Sequence, residues 1–198
     1  MSVISAAGIG AIALMSLKTS SQPVSISTSS FPTIGNMEAK VELVLIADLR
    51  CTACKHFDQE IFPKIAEQYI ATGKVRFSTV LVAFLEDSKI RANAAWTVYR
   101  QNHGRFFSYL HELFRFTADK SLAPEMLIQL AKEVGRIDVA ALDSCIQSGC
   151  YFAEIDQNMD WAKGIMGNLF GTPALYINGV RTSVRSFEPI QTQIEKNL

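Results

Sequence analysis

The clearest pattern in the chain is Val41 to Ala47 (VELVLIA), a nearly continuous run of β-branched residues and Leu. Such a run predicts a strand covered on both faces. Phe57, Ile61, Ile65 and Tyr69 follow at four-residue spacing, one stripe of a helix, with Pro63 placed to kink it and Gly73 to stop it. Val75 to Phe84 (VRFSTVLVAF) reads as a second buried strand. Residues from about 87 to 167 carry only helical periodicity. The stripes are Ala92, Ala95, Trp96 and Tyr99; Phe106, Phe107, Leu110, Leu113 and Phe114; Met126, Leu127, Leu130, Ala131 and Val134; and Ile155, Met159, Ala162 and Met166. All four read as core rather than as a cofactor-binding pattern.

Strand patterning returns at Ala174 to Ile177. Asn178-Gly179 predicts a two-residue hairpin, answered by Val180 to Val184, and Ser186 is placed to cap a last helix with Glu188 in its first turn. The order is strand, helix, strand, helical block, two strands, helix. The simplest α/β architecture for it is a mixed sheet interrupted by a helical insertion.

Ahead of this lie two segments of different character. Residues 1–17 (MSVISAAGIGAIALMSL) contain no charged side chain and predict a signal or membrane-anchor segment; a buried N-terminal helix is the alternative. Residues 18–35, rich in Ser and Thr with Pro23 and Pro32, predict a flexible linker. Composition narrows the partners. Of 198 residues 48% are apolar and 19% charged, enough for a sizeable core and too apolar for a disordered chain. Lys plus Arg equals Asp plus Glu at 19 each, so the basic excess that displaces counterions from nucleic acid is absent.

The chemistry is concentrated in four cysteines arranged as two close pairs. Cys51-Thr52-Ala53-Cys54 follows the first strand directly and opens the first helix. There the unsatisfied N–H groups and the positive end of the helix dipole favour a thiolate on Cys51. Arg50 adds positive potential if it points inward. Cys54 lies nearly one turn further on, within reach of Cys51, so it resolves any mixed disulfide that Cys51 forms. This predicts thiol–disulfide exchange, with an inert structural disulfide as one alternative. A zinc site is the other, but the second pair is spaced C-x4-C and does not match usual zinc-ligand spacing, so no metal is expected. For Cys145 and Cys150, one straight helix would hold the Cα atoms roughly 8–9 Å apart, beyond disulfide reach. Gly149 allows the chain to fold back, which predicts a structural disulfide; two free buried thiols and a second redox centre are the alternatives.

Taken together, the motifs resemble the DsbA-like thiol–disulfide oxidoreductases of the thioredoxin superfamily. The resemblance is carried by Ile34-Gly35-Asn36, by Asp48-x-x-Cys51-x-x-Cys54-x-x-Phe57, and by Phe62-Pro63 with Tyr69 and Gly73-Lys74-Val75. It is completed by Gly171-Thr172-Pro173 running into Ala174-Leu175-Tyr176-Ile177-Asn178-Gly179. It implies a thioredoxin-like fold with an inserted helical domain: a core of about 36–86 and 168–198, an insertion of about 87–167, and no cofactor. It also implies a cis Thr172–Pro173 bond facing Cys51, with Thr172 and Pro173 binding extended, Cys-containing exported proteins. A DsbB-like membrane quinone reductase would reoxidise the pair in the periplasm or a similar extracytoplasmic space. The 198 residues leave little room for the added dimerisation segment that isomerases usually carry, which favours a monomer.

Two departures from the family pattern carry information. Thr52-Ala53 lacks the His often present between the cysteines, which implies a milder oxidant. Leu45 stands where many relatives place a buried acid, so proton transfer at Cys54 falls to water or to Asp48; capping the turn after the strand is the other role open to Asp48. His56 is expected as an exposed helical residue, with a place near the site on the helix as the alternative. A reductase or isomerase of the same fold, or a non-catalytic peptide-binding module, are the competing functions.

Overall fold

The computed structural model describes residues 22–118 and 122–198. Residues 1–17, the expected signal or anchor segment, lie outside the described residues. Among the described residues no helix is long and apolar enough to cross a membrane.

Among the described residues five strands form one mixed sheet in the order β1-β3-β2-β4-β5, with β1 at Thr33–Gly35, β2 at Val41–Ala47, β3 at Val75–Leu81, β4 at Ala174–Ile177 and β5 at Val180–Thr182. The two apolar runs, β2 and β3, pair in parallel from Val41 opposite Val75 to Ala47 opposite Leu81. The other neighbours are antiparallel. Alternation along β2 divides the core in two. Val41, Leu43, Leu45 and Ala47 join the larger cluster on one face, while Val44 and Ile46 join a second cluster on the other. β3 is shorter than its apolar run implied: Val82 donates to the Ala47 carbonyl just past the ladder, and the chain then bends at Leu85. The Asn178-Gly179 turn has positive φ at both residues, 45° and 78°, as a type I′ hairpin requires. The second hairpin strand, expected through Val184, stops at Thr182.

Between β2 and β3 the chain stays helical from 52 to 70: α1 (Thr52–His56), a π-helical turn at Phe57–Ile61, α2 (Phe62–Ile65) and a second π-helical turn at Ala66–Ile70. The distortion expected at Pro63 therefore takes the form of widened turns on either side of α2. Among the described residues five α-helices then lie between β3 and β4: α3 (Ser88–Gln101), α4 (His103–Arg115), α5 (Pro124–Val134), α6 (Val139–Ser148) and α7 (Phe152–Met166). Their stripes share the larger core with the sheet, apart from Met159, Ala162 and Met166 of α7, which cover the opposite face. Met126, placed in a core stripe by its spacing, is instead exposed in the first turn of α5. α8 (Phe187–Glu195) closes the fold. Ser186 precedes it without making a side-chain cap; it bonds the Glu188 carboxylate instead, holding that group below the usual range.

The stretch 18–35 differs from the expected linker in its described part. Val24 donates to the Gly179 carbonyl at 3.0 Å, and the Thr28 hydroxyl donates to Glu42 at 2.6 Å. Phe31 is buried against Trp161, and Thr33–Gly35 adds to the edge of β3. These Ser/Thr-rich residues lack a hydrophobic period because they are held mainly by polar contacts to distant residues.

Candidate active site

Strand β2 ends at Ala47, Asp48 follows it, and three residues after Asp48 Cys51 becomes the N-cap of α1. The Asp48 carboxylate is fully buried and accepts three backbone N–H groups: Arg50 at 2.7 Å, Phe84 at 3.0 Å and Leu85 at 3.3 Å. Of its two expected roles, these bonds fit turn capping: they tie the loop before Cys51 to the loop after β3. Arg50 is half-buried; Thr52, Ala53 and His56 are exposed on the first turn of the helix.

The two sulfurs occupy opposite environments. Cys51 is partly exposed; its sulfur accepts the Cys54 N–H at 3.4 Å, and its S–H donates to the Thr172 carbonyl at 3.3 Å. Its thiol is lowered to about 6. The Cys54 S–H is the largest stabiliser of the thiolate, burial opposes it, and the Thr172 hydroxyl and the N–H groups of Cys54 and Ala53 add to it. Cys54 is fully buried, and desolvation together with the neighbouring Cys51 pushes its thiol far up. The Thr172–Pro173 peptide bond is cis. One sulfur is thus built to be ionised and reached from outside, the other to stay protonated beneath it. That arrangement can perform thiol–disulfide exchange.

The pH dependence follows from the shift. Iodoacetamide is expected to alkylate Cys51 with a midpoint near pH 6, where an ordinary thiol would give about 9. Because the folded thiol titrates below the unfolded one, ionisation stabilises the reduced fold. That contribution is complete above about pH 9 and is lost as the pH falls through about 6. Alkylation rates across this range check the midpoint; reduced-state denaturation at pH 5 and pH 8 checks the sign.

Cys145 and Cys150 lie elsewhere, at the junction of α6 and α7, joined as a disulfide with Cα atoms 5.2 Å apart. Gly149 is left-handed, at φ +69°, and both its N–H and that of Cys150 fold back on the Cys145 carbonyl. Among the described residues no cluster of three His, Cys, Asp or Glu side chains is arranged to hold a metal.

Two features near the cysteines had no prior assignment. Phe84 and Leu85 are exposed beside the Asp48 loop, and Phe84 meets Phe170, two residues before Thr172, edge to face at 5.3 Å. Asp58, four residues after Cys54, is buried and bonded to His111 of α4 at 2.7 Å. Its helical phase relative to Cys54 is visible in the sequence; a partner 53 positions away is not.

Comparison with known proteins agrees with this geometry. A family model described as Thioredoxin matches residues 27–196. Disulfide bond formation protein D of Bacillus subtilis is 29% identical over 172 residues, covering 84% of this chain and 77% of that one. The crystal structure of oxidised BdbD from the same organism superposes with a TM-score of 0.81 at 28% identity, over 89% of this chain and 95% of that one. Chlamydia trachomatis DsbA shares the fold, with a TM-score of 0.79 at 24% identity over 86% and 93% of the two chains. With the Cys51–Cys54 arrangement at the start of α1 and these likenesses, the chain belongs to the thioredoxin family, among its DsbA-like thiol–disulfide oxidoreductases.

Proposed function

We propose that the protein forms disulfide bonds in other proteins, with Cys51 as the exchanging sulfur and Cys54 as the resolving one. The carrying observation is the asymmetry of the pair: a reachable thiol lowered to about 6 above a buried thiol pushed far up. In the oxidised state a client thiolate attacks the Cys51 sulfur. A mixed disulfide forms, and the Cys51–Cys54 bond breaks with its electron pair left on Cys54. The client's second thiolate then displaces Cys51, which leaves as the stabilised thiolate. The oxidising direction is supported by the name of the Bacillus subtilis relative, disulfide bond formation protein D.

Clients are extended, Cys-bearing chains. Thr172 and Pro173 stand beside the Cys51 sulfur, Pro173 offers no N–H, and backbone pairing at Thr172 suits a substrate of any sequence. The exposed Phe84, Leu85 and Leu169 supply shallow apolar contact. Exposed Thr52 and Ala53 put no His beside the Cys51 thiolate, in keeping with a mild oxidant. The working unit is a monomer: a core of about 36–86 and 168–198 carries the site, the helices of about 87–167 cover it, and the Cys145–Cys150 bond staples α6 to α7. The protein works in an extracytoplasmic, oxidising compartment, delivered or held there by residues 1–17, and a DsbB-like membrane quinone reductase reoxidises it.

A glutathione redox titration of the purified chain tests the direction. A midpoint well above the value of about −270 mV typical of thioredoxin is expected; a value at or below it assigns the protein to reduction instead.

A further inference from the structure

We propose that Asp48 is a positioning residue for client binding: its carboxylate locks the apolar wall formed by Phe84 and Leu85 to the turn that carries Cys51. The inference rests on the proposed function, in which Cys51 exchanges disulfides with extended chains.

A turn cap alone needs one acceptor, and Asn or Ser supplies it as well as Asp does. Asp48 uses two. Its Oδ1 takes the Arg50 N–H at 2.7 Å, inside the turn that the Cys51 N–H closes on the Asp48 carbonyl at 3.0 Å. Its Oδ2 takes the N–H groups of Phe84 at 3.0 Å and Leu85 at 3.3 Å, from the loop that leads out of β3. Full burial of a carboxylate costs desolvation that a neutral cap avoids. A bridge between two loops is what the second oxygen adds.

The loop so held is anchored at both ends. Val82 donates to the Ala47 carbonyl at 2.9 Å, and the Leu85 carbonyl accepts the Ser88 hydroxyl at 2.6 Å and its N–H at 3.2 Å as α3 begins. Between these anchors Phe84 and Leu85 remain 43% and 39% exposed, so their backbone bonds to Asp48, rather than burial of their side chains, fix where they stand. The Phe84 ring meets Phe170 edge to face at 5.3 Å. Phe170 leads in two residues to Thr172, whose carbonyl accepts the Cys51 S–H at 3.3 Å. The contacts form a circuit. Asp48 joins the Cys51 turn to Phe84, Phe84 joins the cis-proline segment, and that segment returns to Cys51. A client cysteine at the Cys51 sulfur thus has an apolar wall beside it whose backbone is already fixed, which lowers the ordering cost of binding.

An Asn at this position keeps one carbonyl oxygen and presents N–H donors where the other oxygen stood, so it serves one loop and loses the other. The rate at which the oxidised full chain oxidises a reduced two-cysteine peptide, bearing apolar side chains beside each cysteine, gives a half-saturating concentration. For Asp48→Asn this concentration is expected to rise about tenfold, because the client must then order the wall itself. The Cys51 alkylation midpoint is expected to stay near 6, since the groups that lower it are those of Cys54, Ala53 and Thr172. An unchanged concentration or a shifted midpoint overturns the inference, and so does an equal loss with dithiothreitol, a dithiol too small to meet the wall. Added to Phe84→Ala and Leu85→Ala together, Asp48→Asn is expected to raise the concentration no further; a second full rise overturns the inference. Should Asp48→Asn not fold, two measurements that leave Asp48 in place decide. Slow hydrogen exchange of the Phe84 and Leu85 amides in the wild type, with a raised half-saturating concentration in the double alanine variant, supports the inference; free exchange or an unchanged concentration overturns it. Failure of the wild-type protein to oxidise the peptide at all would instead strike the proposed function, and this inference with it.

Discussion

Cys54→Ala is expected to leave Cys51 joined to other proteins through mixed disulfides that survive non-reducing electrophoresis, while catalytic turnover falls on the order of a thousandfold or more. The Cys51 thiolate attacks a disulfide on a client or on the reoxidising partner, and one sulfur departs. No thiol beneath it remains to displace the captured protein. The reactivity of Cys51 weakens at the same time, because the Cys54 S–H is the largest stabiliser of its thiolate. The alkylation midpoint of Cys54→Ala is therefore expected to rise from about 6 toward the ordinary thiol value, since the N–H groups of α1 and the Thr172 hydroxyl remain but the strongest donor is gone. Cys51→Ser is the control: it captures nothing, because its hydroxyl does not ionise at these pH values. Adducts that persist in Cys51→Ser, or that form through Cys145 or Cys150, would refute the assignment of the two roles.

The same dependence explains why burial matters as much as the helix N-terminus. An isolated helix start lends partial positive charge to any anion placed on it. Here the thiolate also receives a hydrogen bond from a second thiol whose ionisation is disfavoured by desolvation. Cys54 thus acts first as a donor and only later as a nucleophile. The change from one role to the other requires a proton to leave a closed interior.

How much of this could be read from the chain depends on how local each determinant is. β2 was legible because seven consecutive residues carry the signal, and the 178–179 hairpin because Asn-Gly tolerates the positive φ that the turn imposes. The cysteine pair was legible because strand, turn and helix start are contiguous. The packing of residues 24–33 was not. Its holding partners are Glu42, Gly179, Ser78 and Trp161, and nothing in a Ser/Thr-rich stretch announces them. Asp48 was read with two possible roles, and only the three N–H groups converging on it, two of them from a loop 36 or 37 positions away, fit one of those roles over the other. Ser186 failed as a cap for a local reason: its side chain is engaged by Glu188. Met126 was misplaced because periodicity gives a stripe, while the end of the stripe is set by where α5 meets its neighbours.

Phe77→Ala is expected to be the most destabilising single change outside the cysteines. Phe77 is buried on β3, with its ring centroid 5.0 Å from Phe62, 6.2 Å from Phe107 and 6.5 Å from Phe57. One side chain therefore joins the sheet to the helix that carries the cysteines and to α4. Truncation removes the ring's transfer free energy and leaves a cavity beside the small void that already exists there, a cost of about 3–5 kcal/mol. For a chain of this length that lowers Tm by roughly 6–20 °C. Phe77→Leu fills most of the space and is expected to cost about 1 kcal/mol. The folded fraction of either variant should keep the Cys51 alkylation midpoint near 6, because the groups that stabilise the thiolate sit at the start of α1 and at Thr172, not on β3. A Phe77→Ala protein that melts within a degree or two of the wild type would mean that the helical block and the sheet do not share this core. A protein of normal stability with a shifted midpoint would mean that the thiolate depends on how α4 packs against α1.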